Sequence, residues 1–485
     1  MILTIIILYL VLVLAIGLLS HRLFRGTGED FFVATRSIGP FILLMSLFGT
    51  HMTAFSLLGA SGEAYHNGIG VFALMASSSA LVVPLVFFFI GTRTWAVGKR
   101  FGYLTQVQFF RERWNSDGLG LLLFFVLIGL TIPYLLIGIM GGGITMNQIT
   151  GGQIPEWVGG FVVCAVVMAY VTYGGLRGTA WANTFQTLVF MLLGGVAFFV
   201  IVNKLGGFSN AINLISERHP ELLIRGDKIK PLNMLTYTLI PLSVGMFPHM
   251  FMHWLSAKRA ASFQIPIMFY PLCVAAVWIP SVLLGVLGRI QFPDLQGPAA
   301  NSVLVQMIKL NSPEILAGLL AAGVFAAVMS SLDSQVLSLG TMFTQDIVRH
   351  YGFHDKMSER KQVLFGRLFV IGILAIAYTL SLVFNRSIFK LGIWSFTGFA
   401  SLLPVVLAAL FWKRSTKQGA IASVFSVIIL WTYFFVQGWQ TPGYTVGGSG
   451  IMPVAVILAV SIAAMVFVSL LTKPPERAII QKFFA

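Results

Sequence analysis

Leu43-Leu44-Met45-Ser46-Leu47-Phe48-Gly49-Thr50-His51-Met52-Thr53-Ala54-Phe55-Ser56 begins as a run fit for hydrocarbon and then stops being one. Gly49 to Thr53 place a glycine, two hydroxyls and an imidazole at mid-depth in an otherwise apolar segment, a composition that favours local unwinding over a lipid-facing helix. Pro241-Leu242-Ser243-Val244-Gly245-Met246-Phe247-Pro248-His249 breaks a second apolar segment in a similar way. Backbone groups freed by such a break cannot face lipid, so each predicts a protein-lined cavity that satisfies them. Taken singly, either segment also reads as an ordinary Gly/Pro kink. Their matched placement is what points to a shared site.

The surroundings of these segments are membrane throughout. Of 485 residues, 57% are apolar and 10% charged, and the mean hydropathy is +0.89. A soluble domain carries about 25% charged residues, so this chain lacks the polar groups to cover a water-facing surface. Apolar runs of bilayer-crossing length recur from end to end. We read thirteen spans, at about 2–20, 38–63, 68–92, 118–143, 156–175, 181–204, 233–257, 266–288, 313–344, 364–385, 389–412, 418–437 and 449–472. In the first span the positive charge follows the apolar run, at His21-Arg22-Leu23-Phe24-Arg25, which is the reverse of a cleaved signal. With the N-terminus outside, the segments facing inward carry 22 of the 31 Lys and Arg residues and the outward ones 9. This bias predicts an N-out, C-in topology. The net charge of +15 then belongs to topology, and nucleic acid is excluded as a partner.

No appended domain is expected, because the longest polar stretches (about 205–232, 93–117 and 345–363) are short. There is no H-E-x-x-H, no G-x-S-x-G and no histidine-rich cluster, so an enzyme is not expected. Cys164 and Cys273 both fall inside apolar spans and form no metal or disulfide framework. The two broken spans lie five apart, an odd number that reverses membrane direction. Spans 2–6 and 7–11 therefore read as two inverted five-helix units, and paired broken helices in such halves point to a transporter's central site. The predicted division is a peripheral helix (2–20), a first repeat (38–204), a second repeat (233–412), two peripheral helices (418–472) and an inward tail (473–485).

Ionisable side chains at membrane depth are costly, which singles out His51, His249 and Asp333. Asp333 lies in Ala326-Ala327-Val328-Met329-Ser330-Ser331-Leu332-Asp333-Ser334-Gln335, where Ala327, Ser330, Ser331 and Ser334 recur at i, i+3, i+4 and i+7 on one narrow face. Neutral oxygens on such a face suit a small hard cation when an unwound helix adds carbonyls. The same small residues also serve close helix packing.

Three segments resemble the sodium/solute symporter family, which includes sodium–glucose, proline and pantothenate carriers. They are Gly49 to Thr53, the run Tyr173-Gly174-Gly175-Leu176-Arg177-Gly178-Thr179-Ala180-Trp181-Ala182-Asn183-Thr184-Phe185-Gln186, and Ala327 to Ser334 continuing to Asp346. Trp412-Lys413-Arg414-Ser415-Thr416-Lys417-Gln418-Gly419-Ala420 resembles a further turn of that family. The resemblance implies an all-α integral membrane fold of about thirteen helices with a leucine-transporter-type inverted repeat. It implies sodium as coupling ion, no cofactor, and sodium ligands at the carbonyls of Gly49, Met52 and Ala327 and the hydroxyls of Ser330 and Ser331. Asn183 departs from the aspartate that sodium-coupled relatives often carry there, which argues for one sodium per cycle.

The solute is expected beside the two breaks. The candidates are His51, Thr53 and Ser56, then Ser77, then Phe247, Pro248 and His249, and finally Trp394, Ser395 and Thr397. The run from Phe247 to Lys258 is most similar to monocarboxylate- and pantothenate-type members, which implies a small organic acid. The function expected is sodium-coupled symport of a small solute by alternating access, in a plasma or inner cell membrane whose bilayer is the surrounding partner. The alternatives are a proton-coupled or ion-independent carrier of the same fold, with His51 or His249 moving the proton, and a transporter-like membrane sensor.

Overall fold

The computed structural model describes residues 1–20, 36–225, 229–352, 359–384, 387–439, 441 and 443–484. The charged run His21 to Arg25 lies outside the described residues, as do parts of four later loops. Within them the chain is helical, as hydrocarbon requires of a spanning backbone. The one isolated β-bridge among the described residues joins Ile38 to Ala257.

In chain order the helices are α1 (Ile2–Ser20), the first broken pair α2 (Pro40–His51) and α3 (Phe55–Asn67), and α4 (Phe72–Phe101). α5 (Gln106–Trp114), α6 (Asp117–Ile149), α7 (Glu156–Lys204) and α8 (Phe208–Arg218) follow. The second half opens with α9 (Pro231–Tyr237), a 3₁₀ segment Ile240–Gly245, and α10 (Pro248–Ser256). It continues through α11 (Gln264–Gln291), α12 (Val303–Asn311), α13 (Glu314–Met342) and α14 (Glu359–Val383). α15 (Ile388–Ser401), α16 (Leu403–Phe411), α17 (Lys417–Gly438), α18 (Pro453–Leu471) and α19 (Arg477–Phe484) complete the chain.

Among the described residues, nine helices are long and apolar enough to cross a membrane, or ten if the bent pair α2–α3 is one span. Two shorter apolar helices, Ile2–Gly17 and Glu156–Thr172, accompany them. α7 carries the fifth and sixth expected spans, separated where Gly175 leaves helical geometry at φ 57°. A positive φ is readily reached only without a Cβ.

Three expectations need correction. The third span does not end near 92 but continues to Phe101. Two of the stretches read as polar, 93–117 and 205–232, hold the short helices α5 and α8, and α12 lies between the expected spans 266–288 and 313–344. The final tail holds α19. These helices pair apolar and polar faces, so a mean-hydropathy reading passes over them. Phe483 of α19, for instance, packs 5.6 Å from Phe101 and 6.1 Å from Phe109.

Both predicted breaks are present, and several of the freed carbonyls have found donors. α2 and α3 are bent by 57°. Met52 ends α2 in extended geometry (φ −85°, ψ 94°). Thr53 restarts the chain: its Oγ1 accepts from the Phe55 N–H at 2.9 Å, and its carbonyl accepts from Ser56 N–H and Oγ. The His51 carbonyl accepts from Tyr134 Oη at 3.4 Å. In the second break, Met246 and Phe247 are non-helical and Pro248 occupies the first position of α10, where a missing N–H costs nothing. Gln106 Nε2 donates to the freed Met246 carbonyl at 3.0 Å.

At the end of the bundle where α2 begins and α10 ends, the two broken helices are tied together. Lys258 N–H donates to the Ile38 carbonyl at 3.0 Å, and Ile38 N–H to the Ser256 carbonyl at 3.1 Å. Arg36 spans the seam, donating to the carbonyls of Leu255 and Tyr103, each at 2.9 Å. Nearby, the fully buried Arg113 donates to the carbonyls of Ala409 and Trp412 at 3.0 Å. Burial lowers its guanidinium to about 10, still high enough to keep the charge that these bonds use.

Candidate functional site

α13 runs through the middle of the protein, buried along almost its whole length, between α7, α6 and the first broken helix. Ser330 Oγ donates to the Gly49 carbonyl at 2.9 Å and lies 3.3 Å from that of Ala327. Three of the five expected sodium ligands thus meet at one crossing. Of the other two, Ser331 Oγ donates back to the Val328 carbonyl at 3.3 Å. Met52 meets Trp278 through its sulfur, 3.3 Å from the indole N–H. The Ser330 proton satisfies the Gly49 carbonyl; a cation there would need that hydroxyl to turn its oxygen inward.

One turn along α13 is a second polar cluster. The Asp333 carboxylate accepts from Tyr170 Oη at 2.8 Å and from Ser334 Oγ at 3.1 Å. Ser334 Oγ in turn accepts from Asn183 Nδ2 at 2.8 Å and lies 3.2 Å from His253 Nε2. All five side chains are buried. The absence of a carboxylate at 183 therefore does not leave this level without one: Asp333 stands one hydrogen-bonded residue away. Such a network is high-stakes in low dielectric, because every unpaired member would bear its full desolvation cost.

The third group lies between the two breaks. His249, at the start of α10, is fully buried, and neither ring nitrogen has a hydrogen-bond partner. Phe247 stacks on it at 5.1 Å, and Tyr134 approaches at 5.6 Å. Phe247 also meets Phe396 at 5.5 Å and Phe399 at 4.9 Å. His51 Nδ1 hydrogen-bonds Tyr270 Oη, and its ring faces Phe247 at 6.1 Å. The result is an aromatic chamber with two imidazoles, facing the first N–H groups of α10 that have no partner within the helix.

Of the expected solute residues, His51, Phe247, Pro248 and His249 are at this centre. Thr53 and Ser56 use their hydroxyls to shape the break. Ser395 donates to the Leu130 carbonyl at 2.7 Å, tying α15 to α6. Ser77 bonds its own helix at Ala73. Trp394 packs on Phe435 at 5.4 Å and, with Thr397, lines a cavity nearer the other end of the bundle from Arg36. Tyr134, Tyr270, Phe396, Tyr170 and His253 were not singled out by sequence reading. The available signal for two of them was a phenol beside a mid-span proline, Pro133-Tyr134 and Tyr270-Pro271.

Tyr270→Phe leaves the buried His51 nitrogen unpaired, and an orphaned buried polar atom costs about 1–3 kcal/mol. A clear fall in the melting temperature of the purified protein is expected; an unchanged melting temperature would mean that the bond contributes nothing.

Two interrupted helices enclosing a buried chamber, crossed by a serine-bearing helix, define a secondary transporter of the leucine-transporter type. A solved Na⁺-coupled sialic acid symporter in a substrate-bound outward-open state shares this fold with a TM-score of 0.80 at 16% identity, covering 98% of this chain and 99% of that one. Mhp1, a nucleobase-cation-symport-1 family transporter, follows with a TM-score of 0.61 at 13% identity over 94% and 98%.

In sequence, the high-affinity proline transporter PutP of Bacillus subtilis is 25% identical over 96% of this chain and 98% of its own length. The sodium/pantothenate symporter of Escherichia coli is 25% identical over 90% and 91%. The sodium:solute symporter family matches residues 31–426, and the chain belongs to that family. It is a multi-pass cell-membrane protein that carries out sodium-coupled solute symport, and it is not an enzyme.

Proposed function

We propose that this protein imports a small carboxylate-bearing solute with sodium, the ion binding where α2 crosses α13 and the solute binding in the chamber between the breaks. The observation that carries the reading is the Ser330–Gly49 contact, which joins the first broken helix to α13 beside the chamber. An ion held by the carbonyls of Gly49, Met52 and Ala327 and the hydroxyls of Ser330 and Ser331 would draw these elements together. The chamber next to them would be ordered at the same time.

The solute's carboxylate finds two kinds of partner at the head of α10. These are the positive end of a helix, with its unpaired N–H groups, and the unpartnered ring of His249. Both relatives named above carry solutes that have a carboxylate, proline and pantothenate. The proposed arrangement keeps the N-terminus outside, the two five-helix repeats at 38–204 and 233–412, and thirteen crossings. The seam at Arg36 and Ile38 then closes the inner side. A membrane potential of about 100 mV contributes about 2.3 kcal/mol for each sodium charge moved.

Uptake into proteoliposomes tests the reading directly. Replacing external sodium by choline should abolish concentrative uptake of the solute. The solute itself is to be found by thermal-shift screening of acids, amino acids, sugars and polyols with and without sodium. Uptake that continues unchanged in choline would reject sodium coupling in favour of a proton-driven or ion-independent cycle.

A further inference from the structure

At the end of the bundle opposite the Arg36 seam, a cavity of about 770 Å³ stands to one side of the solute path, and another of about 670 Å³ stands directly over it. The second shares Glu63, Lys390 and Trp394 with a smaller neighbour of about 250 Å³. Pockets of a few hundred Å³ are the size that holds small molecules.

One wall of this vestibule belongs to α15. Lys390, Trp394 and Thr397 lie at i, i+4 and i+7, so one face of α15 runs from an exposed ammonium at the rim to a buried hydroxyl at the floor. The other wall belongs to α3, where Glu63 accepts from Asn67 one turn away at 2.7 Å and lines the same cavity as Lys390. An acidic and a basic side chain thus line one cavity from the two helices that flank the way down.

A run of ring contacts leads from the vestibule to the chamber. Phe389 lines the vestibule and stacks on Phe55 at 4.8 Å. Phe55 meets Phe396 at 5.1 Å, and Phe396 meets Phe247 of the central chamber. A plain anion passing here would meet Glu63 as a like charge, which opposes its entry. A molecule with both an ammonium and a carboxylate would find a partner for each, and Trp394 offers a π-face to the ammonium.

We propose that this vestibule is a first binding station for zwitterionic solutes, Glu63 receiving the ammonium and Lys390 the carboxylate. This narrows the carboxylate-bearing solute to the amino- or imino-acid class, and it rests on the orientation and transport reading given above.

The test uses the full-length protein with L-proline and L-alanine as zwitterions, propionate as the deaminated probe and ethylamine as the decarboxylated one. Thermal-shift titrations in sodium should show stabilisation by at least one zwitterion and none by propionate or ethylamine at equal concentration. Glu63→Gln keeps the Asn67 bond, and Lys390→Gln alters an exposed site, so both variants should melt like the parent without ligand. Each should weaken zwitterion binding about tenfold, and in uptake each should raise KM while leaving the maximal rate near the parent value. The charge exchange Glu63→Lys with Lys390→Glu should recover part of that loss.

Binding of propionate as tight as that of the zwitterions overturns the proposal while leaving sodium-coupled carboxylate transport intact. So does an affinity within twofold of the parent in both single variants. Failure of the two zwitterions to bind, with or without sodium, also overturns it. By contrast, uptake indifferent to sodium would reject the transport reading and not the charge pair.

Discussion

Ser330→Ala raises the sodium concentration needed for half-maximal uptake by tenfold or more, a loss of about 1.4 kcal/mol in ion binding. Ser330 is the side chain that physically joins α13 to the first break, its hydroxyl 2.9 Å from the Gly49 carbonyl. Alanine removes the oxygen and leaves that buried carbonyl without its donor. The apo protein therefore loses a hydrogen bond as well, worth about 0.5–1.5 kcal/mol. The two losses are separable by experiment. Melting temperature in choline reads the hydrogen bond, and the sodium-dependent increment in melting temperature reads ion binding.

Ser331→Ala is the companion variant. Its hydroxyl serves Val328 on its own helix in this structure and must turn to reach an ion. A comparable sodium shift in Ser331→Ala would place both hydroxyls in the ion's shell. Sodium stimulation at the parent's half-saturation in both variants would mean that the two serines only pack helices, and the ligand assignment would be withdrawn.

Gly49→Ala should nearly abolish uptake, and Thr187→Ala should restore a good part of it. A Cβ built on Gly49 collides with Thr187 Oγ1 and comes within 3.4 Å of the Asn183 carbonyl. α2 thus approaches α7 as closely as it does only because residue 49 has no side chain. Overpacking a tight contact costs about 1–3 kcal/mol, and here the strain falls on the carbonyl proposed to hold sodium. Thr187 Oγ1 itself donates to the Met45 carbonyl at 3.0 Å, an extra bond that the helix can lose at modest cost. Removing that hydroxyl opens the space next to residue 49. The double variant should be more active and more stable than the Gly49 single variant, with a coupling of about 0.5–3 kcal/mol between the sites. Equal loss in the single and the double variant would show that the contact with Thr187 is not what requires glycine.

The two breaks illustrate what could be read along the chain. Gly49 to Thr53 and Gly245 to Pro248 are legible because hydrocarbon tolerates an unpaired backbone group so poorly that helix-weak residues at mid-depth must have a purpose. The serine face of α13 is legible for a related reason: helical periodicity places Ala327, Ser330 and Ser331 together without knowledge of any neighbour. The short helices α5, α8 and α12 were not legible, because their apolar faces are too narrow to raise mean hydropathy.

Aromatic residues were the harder case. Forty-two phenylalanines are present, and an apolar ring in a membrane helix has the same local signal whether it meets lipid, core or solute. Phe247 was found because it sits in a break; Phe396, its partner at 5.5 Å, sits in an unbroken helix and was not. Ser395 and Thr53 carry the opposite lesson, since a hydroxyl close to the solute path can be spent entirely on holding the backbone.

From the order of its residues alone, this chain determines a membrane fold, two broken helices and a serine face suited to a cation. Each of these follows from periodicity or from the exclusion of water, which act within a single segment. Only the tertiary structure decides that Ser330 meets Gly49 across 281 residues, and that Asp333 stands beside Asn183 through Ser334. It likewise decides that Glu63 and Lys390 face one vestibule. Those pairings depend on how the helices cross, and a crossing is set by the packing of whole faces, which no single segment encodes.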